Sequence, residues 1–106
     1  MGSYAITAGD DLKIAIQLTK QDQVFTINGG ATVQAAFVSA DGTVTGPVAV
    51  TEIGGSDWAN SLIVVSLPAA TSAALPIGRA TLEIEIDDNG KTTWHVDHYY
   101  VKKSNV

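Results

Sequence analysis

His95-Val96-Asp97-His98 is the densest run of potential ligands in the chain. Along an extended strand alternate residues share a face, so His95 and Asp97 are expected side by side. Glu83, on the preceding strand of the same hairpin, would lie across the ladder from His95. Those residues could offer imidazole and carboxylate donors to one metal ion, since a zinc site needs three or four converging ligands. The plainer reading, and the favoured one, is a solvated cross-strand acid–histidine pair. No resident cofactor or metal is expected. Trp58 stands in a glycine-rich stretch between Gly54 and Asn60, with Asp57 and Asn60 beside it. An exposed indole there could stack on a sugar ring or on a partner protein; the alternative is that it caps an open end of the core.

Other acidic runs do less. Asp87-Asp88-Asn89-Gly90 lacks the alternating acids and the trailing glutamate of an EF-hand calcium loop, because Val96 stands where that glutamate belongs. Gly9-Asp10-Asp11 reads as a loop whose aspartates accept backbone hydrogen bonds. Neither a nucleophile-elbow glycine pattern nor a phosphate-cradling Gly-x-x-x-x-Gly-Lys occurs. With no cysteine in the chain, disulfides, thiolate zinc sites and a cysteine nucleophile are excluded. The expectation is a non-enzymatic protein.

Charge narrows the partners. Eleven acids against six bases give a net charge of -5. Phosphate backbones and anionic membrane surfaces both call for a basic surface, so neither nucleic acid nor membrane is an expected partner. No apolar run approaches the roughly 18 residues of a membrane span. Met1-Gly2-Ser3-Tyr4 contains no basic segment leading into an apolar one, so no signal peptide is expected and synthesis is assigned to the cytoplasm.

The elements that must carry these residues are strands. Leu12, Ile14, Ile16 and Leu18 alternate with Lys13, Ala15, Gln17 and Thr19, the pattern of a half-buried strand. Gln21-Asp22-Gln23 turns into a short segment from Val24 to Ile27. Thr32 to Ser39 is apolar on both faces and reads as a central strand. Ala40-Asp41-Gly42 is a turn leading to Val44 and then to a strand from Val48 to Ile53. Leu62 to Leu67 is a buried β-branched run. Between Pro68 and Pro76 the alanines favour one or two helical turns, near residues 68–75. About seven short strands with one helical corner predict an all-β fold, an immunoglobulin-like β-sandwich, in a single domain spanning residues 1–106 with its core in about 5–101. A small barrel is the alternative.

The last hairpin fixes its own register. A two-residue Asn89-Gly90 turn would set Ile84 opposite His95, placing dry residues against wet ones along the ladder. A three-residue loop, Asp88-Asn89-Gly90, pairs Asp87 with Lys91, Ile84 with Trp94, Glu83 with His95 and Leu82 with Val96. Because a one-residue slip reverses a strand's faces, burial selects the second register. A type I turn with Gly90 left-handed is expected there, and the same scheme pairs Ser39 with Thr43. Trp94 is expected in the core. Glu83, Glu85 and Asp87 form an outward acidic stripe, a solvated face that would also oppose edge-to-edge aggregation.

With the strands placed, the chain resembles the immunoglobulin-like N-terminal domain of bacteriophage baseplate upper proteins and related prophage tail proteins. The resemblance is carried by Gly9-Asp10-Asp11-Leu12 leading into Ile14-Ala15-Ile16-Gln17-Leu18, and by Thr26-Ile27-Asn28-Gly29-Gly30-Ala31-Thr32-Val33. It continues in the Leu67-Pro68-Ala69 to Leu75-Pro76-Ile77-Gly78 corner and the Asp88-Asn89-Gly90-Lys91 hairpin. Where that family usually has Asp-Leu-Thr-Gly before the central strand, this chain has Thr26-Ile27-Asn28-Gly29. The resemblance implies a structural role in a phage or prophage tail or baseplate, exerted through protein–protein contacts in the virion. Implied partners are other virion or tail proteins, with a homo-oligomer possible. The alternative function, read from the residues, is a carbohydrate-binding or adhesion module using the Trp58 loop.

Overall fold

A computed structural model describes residues 4–52 and 55–103. Ile53, the loop glycine Gly54, the signal-peptide reading of Met1–Ser3 and the last residues of the tail lie outside those; the strand expected to run from Val48 to Ile53 instead begins at Val44 and ends at Val50. Seven strands are formed: β1 (Tyr4–Thr7), β2 (Leu12–Gln17), β3 (Thr32–Ser39), β4 (Val44–Val50), β5 (Leu62–Leu67), β6 (Gly78–Asp87) and β7 (Lys91–Lys102). One α-helical turn, α1 (Ala69–Ser72), and a 3-10 turn at Trp58–Asn60 complete the described elements. The chain is all-β. A curled five-stranded sheet has the order β1-β7-β6-β3-β4, and a two-stranded sheet pairs β2 with β5. β1 runs parallel to β7, and every other pairing is antiparallel.

Both sheets give alternate residues to a shared core. Ile16 of β2 and Ile63, Val65 and Leu67 of β5 meet Val33, Ala35 and Phe37 of β3 and Leu82, Ile84 and Ile86 of β6. At its centre Phe37 is 1% exposed and forms a T-shaped pair with Tyr99, with ring centroids 5.6 Å apart and planes at 80°. That geometry sets the positive rim of one ring against the negative face of the other. β3 sits between β6 and β4, and its outer-face residues Ala36 and Val38 are half-buried, as its two apolar faces require.

Short polar links fix the corners. Lys20 and Gln23 exchange both backbone hydrogen bonds, at 2.8 and 2.9 Å, around Gln21 and Asp22, which both have positive φ. Val24 to Ile27 then runs as irregular chain rather than a strand. Its backbone is satisfied by the 3-10 turn instead of a ladder: the Ile27 N–H donates to the Trp58 carbonyl at 2.7 Å. Asp11 Oδ1 accepts the Ala69 N–H at 2.8 Å, covering an otherwise unpaired donor at the start of α1. Ser72, fully buried, accepts the Gly9 N–H at 3.0 Å and donates to the Asp10 carbonyl at 2.6 Å. The Gly9-Asp10-Asp11 loop is thus tied to the helical corner.

The β3–β4 turn follows the expected scheme. The Ser39 N–H donates to the Thr43 carbonyl at 2.8 Å, the Gly42 N–H to the Ser39 carbonyl at 2.9 Å, and Gly42 has φ 89°. Asp41 Oδ1 accepts the Thr43 N–H at 2.9 Å. That bond, followed by one from the Thr43 hydroxyl, holds the exposed Asp41 carboxyl below the usual aspartate range. A carboxyl depressed in the folded state stabilises the turn above its unfolded pKa, and loses that contribution as pH falls through the folded value. A side-chain NMR titration should therefore place the Asp41 midpoint below that of an unperturbed aspartate, with the Thr43 amide shift moving in step. A midpoint at or above the ordinary value would show that the turn does not hold its carboxylate.

Two irregularities shape the large sheet. Between Ala35 and Phe37 the β3–β4 register shifts by one residue on the β4 side, at Gly46-Pro47. Gly46 has φ 108°, and a Cβ there would stand 3.0 Å from the Ala35 carbonyl oxygen, so the strands approach too closely for a side chain. The second shift lies in the β6–β7 hairpin and decides the fate of the candidate ligands.

Candidate functional site

The hairpin closes as Asp87↔Lys91, Ile84↔Trp94 and Glu83↔His95, the three-residue-loop register. Gly90 has positive φ, 150°, but the left-handed residue is Asn89 at 59°, and the Asp88 N–H donates to the Gly90 carbonyl at 3.1 Å. The expected positive φ at Gly90 is present, and Asn89 adds a second, in the left-handed region; asparagine is among the few side chains that tolerate it.

Beyond Glu83 the ladder slips. Leu82 faces Asp97 rather than Val96, so β7 carries one extra residue in a bulge. The slip reverses the strand's faces. Asp97 moves to the side of Leu82, while His98 joins His95 on the outer face, opposite Thr81. The expected trio of His95, Asp97 and Glu83 is not assembled. His95 Nε2 lies 3.2 Å from Glu83 Oε2 at an exposed position, and His98 Nδ1 lies 3.2 Å from the Thr81 hydroxyl. Asp97 Oδ1 accepts the His98 N–H at 3.2 Å. Among the described residues no three histidine or acidic side chains come together to hold a metal ion. The outer face also carries Glu85, 4.0 Å from Lys91 Nζ, an exposed pair of the kind that contributes little to stability.

The aromatic residues are also redistributed. Trp58, expected either exposed or capping the core, is 5% exposed and packs in the core. Its Nε1 is buried without a hydrogen-bond partner among the described residues. Asp57 and Asn60 remain exposed beside it, but Asn60 Nδ2 donates to Asp57 Oδ2 at 2.8 Å, so they close the 3-10 turn on itself. Trp94 is half-buried at the edge of the core instead of within it. It stacks on Phe25 at 5.6 Å with planes 10° apart and donates from Nε1 to the Thr19 carbonyl at 3.3 Å. Lys20 Nζ sits 4.8 Å above the Phe25 ring, a cation–π contact that covers that pair.

A more open concavity lies elsewhere. A groove of about 600 Å³ is bounded on one wall by Lys13, Ile14, Ala15, Ile16 and Gln17 of β2 and on the other by Val96, Asp97 and Tyr99 of β7. β2 pairs only with β5, and β1 covers β7 only over Tyr99–Lys102. Among the described residues, two strand edges therefore face the groove with no strand paired to them. In an antiparallel pair alternate N–H and C=O groups point away from the partner strand, so β2 offers a row of free donors and acceptors here. Ile14 and Val96 are half-buried and would be covered further by a chain lying in the groove. The bulge that separated His95 from Asp97 is what turns Val96 and Asp97 toward this wall.

The groove is not legible in the sequence, because an open edge is a property of pairing at a distance, and the four residues of β1 carry no strand signal of their own. One signal was present. Inward apolar residues in β7 fall at Trp94 and Val96 and then at Tyr99 and Val101, a change of phase that only an extra residue can produce. No family model matches the chain, and neither does any curated protein sequence. No helix among the described residues is long and apolar enough to cross a membrane.

Proposed function

We propose that the chain is a non-enzymatic, immunoglobulin-like sandwich module of a phage or prophage tail or baseplate, made in the bacterial cytoplasm, incorporated in the virion and acting through protein–protein contacts. The observation that carries this reading is the groove between β2 and β7, where, among the described residues, two strand edges lie unpaired. Unpaired edges are templates for strand addition, and proteins that do not use them commonly blunt or cover them. The immunoglobulin-like assignment is supported by seven strands divided between two sheets around one core, with β3 and β6 adjacent and β2 paired to β5. The tail or baseplate assignment is supported by the sequence resemblance spanning the first strand, the central strand, the helical corner and the last hairpin.

The carbohydrate-binding alternative has less support, because its indole is buried and the remaining aromatic pair, Phe25 and Trp94, is already covered by Lys20. Mass spectrometry of gradient-purified particles, induced from the strain that carries the gene, tests the proposal. The chain should co-sediment with tail proteins at a fixed ratio; its absence from intact particles would remove the virion role.

A further inference from the structure

We infer that the β2 edge pairs with the same edge of a second copy of this chain. The two strands would run antiparallel about a two-fold axis at Ala15 and make a continuous β5-β2-β2-β5 sheet. This rests on the docking reading above and names its occupant.

Of the sheet edges, β2 is the least protected. β4 is interrupted by Pro47, which has no N–H to donate, and by the shift at Gly46-Pro47. β5 has β2 on one side and β4 packed near it on the other. β1 is only four residues long. β2 is regular over its whole length and has no glycine, proline or bulge.

The sequence of the edge is self-complementary. Antiparallel pairing centred on Ala15 sets Lys13 opposite Gln17, Ile14 opposite Ile16 and Leu12 opposite Leu18. Inward residues therefore meet inward ones, and the groove-lining run Lys13–Gln17 pairs with itself as a complete set. A shift by one residue would set inward against outward residues. Lys13 is the only charged residue of β2, and in this register it never faces its own copy. Like charges directly opposite each other oppose pairing, so that arrangement matters. The chain carries a net charge of -5, whereas the groove walls contribute one cation, Lys13, and one anion, Asp97. This is a face on which two acidic chains can meet without added repulsion. A two-fold contact uses the same patch on both subunits, as this edge does.

Sedimentation velocity of the purified chain over a range of concentrations, with three variants, tests the inference. Wild type should show a monomer–dimer equilibrium. Ala15 is exposed, so A15E should fold normally by circular dichroism yet place two carboxylates face to face, weakening the dimer by roughly fivefold or more. Q17E, opposite Lys13, should tighten the dimer, and Q17K should loosen it. A monomer at every concentration, a dimer that survives A15E, or two Gln17 variants that move in the same direction would each overturn the inference. The measurement uses the isolated chain and the particle experiment does not, so either proposal can fail while the other stands.

Discussion

Phe37→Ala should come close to unfolding the protein. The ring is 1% exposed, held between the two sheets and paired in a T-shape with Tyr99. Its removal strips the largest apolar surface from the centre of the core and leaves a cavity that the surrounding strands, fixed by their ladders, can only partly close. Phenylalanine-to-alanine changes at such sites cost about 3–5 kcal/mol. A domain of this size has about 5–15 kcal/mol in all. A loss of several kcal/mol lowers the thermal midpoint by roughly 15 °C or more, at about 4–8 °C per kcal/mol for small domains. Thermal and urea unfolding followed by circular dichroism measure the effect. A loss below about 1 kcal/mol would mean that Phe37 does not anchor the packing of the two sheets, since even Ile→Val changes in a core reach that size.

Ser61→Ala should cost about 1–3 kcal/mol, the range for stranding buried polar groups. Ser61 is fully buried and left-handed, with φ 56°. Its hydroxyl donates to the Leu18 carbonyl at 2.6 Å and accepts the Phe25 N–H at 3.4 Å. It therefore joins the end of β2, the irregular segment after it and the 3-10 turn that holds Trp58. Alanine keeps the backbone strain and removes both bonds. Ser61→Gly relieves the strain but also loses the bonds, so it should be destabilised less than Ser61→Ala. Chemical denaturation of both variants decides this. Equal stability of wild type and Ser61→Ala would show that the hydroxyl does not tie these segments together.

What the sequence made legible is what depends on neighbours along the chain. The alternation from Leu12 to Leu18, the two-faced apolar run of β3, the helical turn after Pro68 and the pairing of Ile84 with Trp94 follow from period, burial and turn length, and the structure has them. What it left hidden depends on pairing at a distance. Tyr4-Ala5-Ile6-Thr7 is too short to announce a strand, and becomes one by lying parallel to Tyr99–Lys102. Val24 to Ile27 has strand composition but finds its backbone partner in the 3-10 turn, so it forms no ladder. Trp58 is buried because that turn folds it inward, which no local pattern of glycines could state.

The candidate site shows the same division most clearly. Simple counting places His95 opposite Glu83, and it lies there. The same counting places Asp97, two residues on, beside it, but Asp97 is on the other face because a bulge intervenes. One extra residue both dissolves the metal arrangement and turns Val96 and Asp97 toward the open β2 edge. His95, His98 and Glu83 thus sit on a wet outer face, while Asp97 lies apart from them in the groove, opposite the wall formed by Lys13 to Gln17.

Docking through the open strand edges, as proposed above, predicts protection of those edges inside a particle. Hydrogen–deuterium exchange on the free chain, diluted until it is monomeric, and on the chain within purified particles measures this. Slowed exchange of the backbone amides in Leu12–Gln17 and in the groove-facing part of β7, from Trp94 to His98, is the predicted result. Unchanged exchange at both edges, with protection appearing only elsewhere on the chain, would contradict it.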